Sequence, residues 1–333
     1  MRVSSPRSRR VGAEGSAVWV RAGLCVMASF NQPIGRSVKT LIAERWPAAR
    51  RRGRIPGTTG PGDAAMPVAP PAYASATGAV TITTAGVIAT VRFARPDRRV
   101  NPLSPALLHD LADAARHLAR RPDISVAILT GSDTAFCGGF DLKDDGVAAL
   151  AEASDEALAE LVARAGGEAV EAWTSTPPVT IAAVEGYALG GGLVMALSCD
   201  FRVARSGALF GLPEIDRGIT PGWGCLPRLV AAIGLQPARR MAILGERLTA
   251  EQAAPLGLVD RIADGATPTL DLARAMAAEL AVKPATPLRM NKRMLNASAI
   301  APLTPASLVD VDQFTGSARG AAFRTERARF AGG

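Results

Sequence analysis

The feature that most constrains this chain is the stretch over residues 183–200, A-V-E-G-Y-A-L-G-G-G-L-V-M-A-L-S-C-D. It closes an apolar, β-branched run over residues 179–184, V-T-I-A-A-V, which has the length and composition of a buried strand. Gly186 and the triplet Gly190, Gly191 and Gly192 follow, and residues 193–197 read as the first turns of a buried helix. Glycines between strand and helix let the backbone take φ > 0 and let another group approach it closely. First-turn N–H groups carry the positive end of the helix dipole, so such a turn can hold an anion or a developing oxyanion. A tight turn that serves packing alone is the competing reading, and the rest of the chain has to decide between them.

Charge is unevenly distributed. Residues 1–65 carry 12 Lys and Arg against 3 acidic residues, which leaves 26 basic against 27 acidic in the remainder. The basic pI therefore belongs to an N-terminal extension without periodicity. It reads as a disordered tail, an Arg- and Ser-rich targeting segment, or a non-native stretch ahead of a start at Met66. The near-neutral remainder gives no reason to expect nucleic acid. Its apolar runs all fall short of the ~18 residues of a membrane span. The cysteines Cys25, Cys137, Cys199 and Cys225 are scattered, which fits a reduced, cytoplasmic protein.

From residue 78 the pattern changes. Residues 79–94 alternate and break once at Ala85 and Gly86, which predicts a β-hairpin. Ser104 and Pro105 open a helix at the N-cap and first-turn positions. Residues 124–129 form a buried strand, and a second glycine turn follows it: A-F-C-G-G-F-D-L over residues 135–142. A helical stretch over 148–173 leads to the central strand, with short strands expected over 200–204 and 208–211. Later, Thr249 to Gln252 has the capping-box form, and residues 270–282 and 318–330 are candidate helices. Strands alternating with helices, then helices alone, indicate an α/β core with a helical C-terminal portion.

Several chemistries lack their parts. The two histidines, His109 and His117, share one predicted helix remote from both glycine turns, so Ser-His and Cys-His schemes have no base. Cys137 and Cys199 read as small hydrophobes. There is no phosphate-binding G-x-x-x-x-G-K-[ST], no G-x-G-x-x-G opening a helix after a strand, and no metal-ligand spacing. Two glycine turns and one carboxylate remain. Glu214, within the otherwise apolar F-G-L-P-E-I, has surroundings that should raise its pKa and suit it to proton transfer.

Three blocks carry a resemblance: V-A-I-L-T-G-S-D-T-A-F-C-G-G-F-D-L, then I-A-A-V-E-G-Y-A-L-G-G-G-L-V-M-A-L-S-C-D-F-R-V-A, then F-G-L-P-E-I-D-R-G-I-T-P-G-W-G. In order and spacing they resemble the enoyl-CoA hydratase/isomerase (crotonase) family, over about residues 80–330. The resemblance implies a crotonase-like α/β spiral of β-β-α units over residues 66–265 and a C-terminal helical trimerisation region over 266–333. It implies an acyl-CoA substrate, with coenzyme A as part of the thioester and no other cofactor or metal, and assembly into a homotrimer or hexamer. It places oxyanion donors at the backbone N–H groups of Phe140 and Gly191 and a catalytic carboxylate at Glu214. Substrate contacts are implied at Ala135, Cys137, Gly138, Gly139, Asp141, Leu142, Lys143, Gly190, Gly192, Val194 and Trp223.

One position departs from the pattern. Hydratases of the family carry a first glutamate three residues after the middle glycine of the triplet, where this chain has Val194. Valine can neither take a proton nor orient water. A single glutamate is expected to move a proton between carbons, as in the family's isomerases, with hydration as the alternative if another group holds the water. Glu185 precedes the triplet at a position that varies in the family and is not expected to substitute. A non-catalytic acyl-CoA-binding protein is the alternative of a different kind, and the survival of Glu214 weighs against it.

Overall fold

The computed structural model describes residues 73–144, 155–300, 302 and 304–331. The extension over 1–65 and the start of the helical stretch expected over 148–173 lie outside the described residues.

Strand β1 (Tyr73–Ala74) pairs antiparallel with β2 (Val80–Ala85), and β2 forms the expected hairpin with β3 (Ile88–Phe93). Helix α1 (Pro105–Ala119) is capped by Ser104, whose hydroxyl accepts from the Leu107 N–H at 3.2 Å. Then come β4 (Val126–Thr130), α2 (Asp155–Ser175), β5 (Val179–Val184), β6 (Tyr187–Leu189) and α3 (Gly191–Leu197). β7 (Phe201–Arg205) and β8 (Leu209–Gly211) lead through a 3-10 turn at Ile215–Arg217 to α4 (Cys225–Ile233) and α5 (Leu235–Ile243). β9 (Leu248–Thr249) runs into α6 (Ala250–Ala253) through a complete capping box between Thr249 and Gln252. β10 (Arg261–Ala263) is followed by α7 (Thr269–Ala281), α8 (Ala285–Ala299), α9 (Thr304–Ala318) and α10 (Ala321–Ala331).

The larger sheet has the order β1-β2-β3-β4-β5-β7-β10 and is parallel from β3 onward; β6, β8 and β9 form a second, smaller sheet. Strands β5 and β7 therefore lie in the large sheet, while the strands after them, β6 and β8, lie in the small one. Helices α3 and α4 follow those pairs, so the chain winds as an α/β spiral of two strands and a helix.

Strands β4 and β5 are buried on both faces, and their period of two sorts them into two layers. Val126, Ile128, Ile181 and Ala183 join Ala273, Met276 and Ala277 of α7, whereas Ala127, Leu129, Ala182 and Val184 face the main core. Helix α7 thus covers the sheet, although the sequence boundary at residue 266 groups it with the helices that follow. The helix expected over 318–330 is α10, which starts three residues later at Ala321, and α9 before it was not expected. Gly320, whose N–H bonds the Ser317 carbonyl at 2.9 Å, separates α9 from α10 because glycine is a poor helix former. Among the described residues no helix is long and apolar enough to cross a membrane.

Candidate active site

The two glycine turns meet because backbone hydrogen bonds knit them into adjacent rows. Phe136 N–H donates to the Glu185 carbonyl at 2.6 Å, Cys137 N–H to that of Tyr187 at 2.8 Å, and Leu189 N–H to that of Cys137 at 3.0 Å. On the other side of the same segment, Leu103 N–H donates to the Gly139 carbonyl and Asp141 N–H to the Leu103 carbonyl, both at 2.8 Å. Backbone groups alternate along an extended segment, so the Phe140 N–H, between those two bonds, faces away from Leu103. Gly191 is the first residue of α3, where an N–H has no acceptor within the helix. Phe140 and Gly191 line one pocket.

The carboxylate of that pocket is Glu214. It sits where β8 ends: Pro213 precedes it, its own carbonyl accepts from Arg217 N–H at 3.0 Å and Ile219 N–H at 3.1 Å, and Gly218 closes the turn in the left-handed region at φ 72°. Its Oε2 is buried and has no hydrogen-bond partner among the described residues. Burial pushes its pKa up to about 7, against smaller lowerings by a hydrogen bond with its own backbone and then by the Arg217 guanidinium.

Gly190 leaves room for this carboxylate. At φ 52° and ψ −124° it holds a conformation that L side chains rarely adopt, and an added Cβ would lie 2.6 Å from Glu214 Oε1. Gly190→Ala is therefore expected to displace the carboxylate and strain the turn. Stability should fall by about 1–3 kcal/mol in chemical denaturation, and turnover should fall well beyond what the loss of folded protein explains. An alanine variant with unchanged turnover would show that the carboxylate need not sit there.

Val194, 2% exposed, faces the same pocket one helical turn past Gly190. Gly138, Gly139, Leu142 and Trp223 also line it. Five residues with implied substrate contacts do not. The side chains of Ala135 and Cys137 are fully buried, Gly192 packs against the Cys137 carbonyl, and the Asp141 carboxylate pairs with Arg95 at 2.7 Å. In this pocket they support the wall and do not form its surface. Lys143 is exposed and outside it. Burial pushes the Cys137 and Cys199 thiols up to about 12, which leaves them unreactive, as small hydrophobes should be. Glu185 is committed elsewhere, accepting from Arg205 and from the Thr269 hydroxyl, both at 2.6 Å.

The C-terminal helices complete the pocket in a way the sequence reading missed. Phe314 and Ala318 of α9 and Phe323 and Arg327 of α10 line it, together with Val162 of α2 and with Arg217 and Ile219. The Ser317 hydroxyl accepts from Thr220 N–H at 3.1 Å and Asp310 from Gly224 N–H at 2.6 Å, tying α9 to the loop after Glu214.

An α/β spiral whose two glycine turns meet beside one buried carboxylate defines a crotonase-fold enzyme. The chain belongs to the enoyl-CoA hydratase/isomerase family, whose model matches residues 83–331. A probable enoyl-CoA hydratase of Mycobacterium tuberculosis is 38% identical over 197 residues, 59% of this chain and 73% of that protein. The 2,3-dehydroadipyl-CoA hydratase of Escherichia coli is 37% identical over 204 residues, 61% of this chain and 76% of the relative. The crystal structure of an enoyl-CoA hydratase from Mycobacterium avium subsp. paratuberculosis superposes with a TM-score of 0.67 at 26% identity, covering 78% of this chain and all of the other.

Proposed function

We propose that this enzyme isomerises enoyl-CoA thioesters through an enolate. The thioester carbonyl lies between the N–H groups of Phe140 and Gly191, and each donor contributes roughly 3–4 kcal/mol as the oxygen becomes anionic. Glu214 takes the α proton of a 3-enoyl thioester, leaving a dienolate, and returns a proton at the γ carbon to give the 2-enoyl product. Coenzyme A, the only cofactor moiety required, runs along the segment from Ala135 to Lys143. The observation that carries this reading is a pocket with one proton-transfer carboxylate, Glu214, and an apolar Val194 at the position of the hydratases' first glutamate.

Hydration is the second reading, favoured by the relatives named as hydratases. Purified protein given 3-enoyl-CoA and 2-enoyl-CoA separately is expected to move the double bond of the first faster than it adds water to the second. Comparable hydration would reverse that order. Acyl-CoA binding without turnover would favour a binding protein. The resemblance also supports a homotrimer or hexamer, the scattered cysteines support a cytoplasmic location, and the exposed Met290, Met294 and Leu295 on α8 provide an apolar surface for self-association.

A further inference from the structure

Trp223 lines two cavities, and among the described residues no other is common to both. In front of it is the pocket of Glu214, with about 80 Å³ of free volume; behind it is a cavity of about 850 Å³ bounded by α2, α8 and α9. At about 10–15 Å³ for a water-sized group, the front pocket holds roughly half a dozen such groups. We propose that Trp223 sets the acyl length this enzyme accepts, walling off the rear cavity so that the site takes short acyl thioesters. The proposal rests on the acyl-CoA reading above.

The local structure is built around that indole. Trp223 has φ 62°, a left-handed conformation seldom taken by a bulky residue, and its Nε1–H donates to the Val162 carbonyl at 3.0 Å. Its neighbour Gly224 is held by Asp310, and Phe140 meets the ring edge-on with centroids 6.4 Å apart. Two helices omit side chains where the ring lies. An added Cβ would fall 1.9 Å from Trp223 Cε2 at Gly166 of α2, and 2.5 Å from Cζ3 at Gly191 of α3. A ring positioned this way separates the Gly191 turn from the rear cavity.

The test is calorimetric titration with butanoyl-CoA and dodecanoyl-CoA, saturated thioesters that bind without reacting. The wild-type protein is expected to bind butanoyl-CoA at least about tenfold more tightly, because the longer chain has no apolar room. Trp223→Ala should join the cavities and raise dodecanoyl-CoA affinity by at least about tenfold, whereas Trp223→Phe should keep the wild-type order. Thermal melts establish that each variant is folded, and Trp223→Leu replaces the alanine variant if that one does not fold. Wild-type protein that binds both ligands equally overturns the wall while leaving the acyl-CoA reading intact. So does a folded small-residue variant with the wild-type order. Wild-type protein that binds neither overturns the acyl-CoA reading and the wall with it.

Discussion

Glu214→Gln is expected to lower kcat by roughly 10²–10⁴-fold, the usual contribution of a positioned acid–base group, with little change in KM. The amide matches the carboxylate in shape, so the turn after Pro213 and the packing against Gly190 are retained while the proton acceptor is lost. In the wild-type enzyme kcat/KM should rise with pH to a plateau above about 7, since burial holds the Glu214 carboxyl near that value and only the ionised form accepts a proton. The variant should lose that rising limb.

Stability should move in the opposite direction. A carboxyl raised from 4.5 to about 7 by folding binds more protons in the native state than in the unfolded one between those values. Its contribution is fully present below pH 4.5, declines as pH rises and is lost above about 7, where burying the ionised group costs up to about 3 kcal/mol relative to a neutral one. Glu214→Gln should therefore match wild type in urea denaturation at pH 4 and exceed it at pH 9. Wild-type turnover in the variant would remove Glu214 as the base, and a stability difference independent of pH would contradict its burial in the charged form.

What could be read from the sequence is what local sequence determines. Hairpin, capping box, central strand and both glycine turns depend on residues adjacent in the chain, and Glu214 is conspicuous because its neighbours are apolar. The turns' meeting depends on hydrogen bonds such as that from Phe136 to Glu185, which no local pattern encodes, so it became readable only through the family's motif order. The pocket's C-terminal wall was not readable. Phe314 and Phe323 are isolated aromatics on helices with only a faint apolar stripe, seven or more residues from any other aromatic, and nothing in their spacing points to a site about a hundred residues upstream. The same holds for Gly166, which reads as an unremarkable glycine within a helix until the Trp223 indole is seen lying against it.

Val194→Glu is expected to raise hydration of 2-enoyl-CoA by roughly 10²–10⁴-fold over wild type, by supplying the second acid–base group that adding water requires. Val194 already faces the pocket from α3, 2% exposed, so a longer side chain there enters the space Glu214 occupies. Two carboxyls sharing a desolvated site titrate as a pair, with one value pushed down and the other up. That separation lets one activate water while the other delivers the α proton. The added acid should cost about 1–3 kcal/mol of stability, the penalty for burying a polar group with incomplete hydrogen bonding, and this is measurable by denaturation at pH 8. Val194→Gln separates the two effects, since it has similar size and polarity without a titrating proton; its hydration rate should remain at the wild-type level. If wild type and the glutamate variant hydrate equally, Val194 is not what limits hydration, and the preference for isomerisation loses its structural basis.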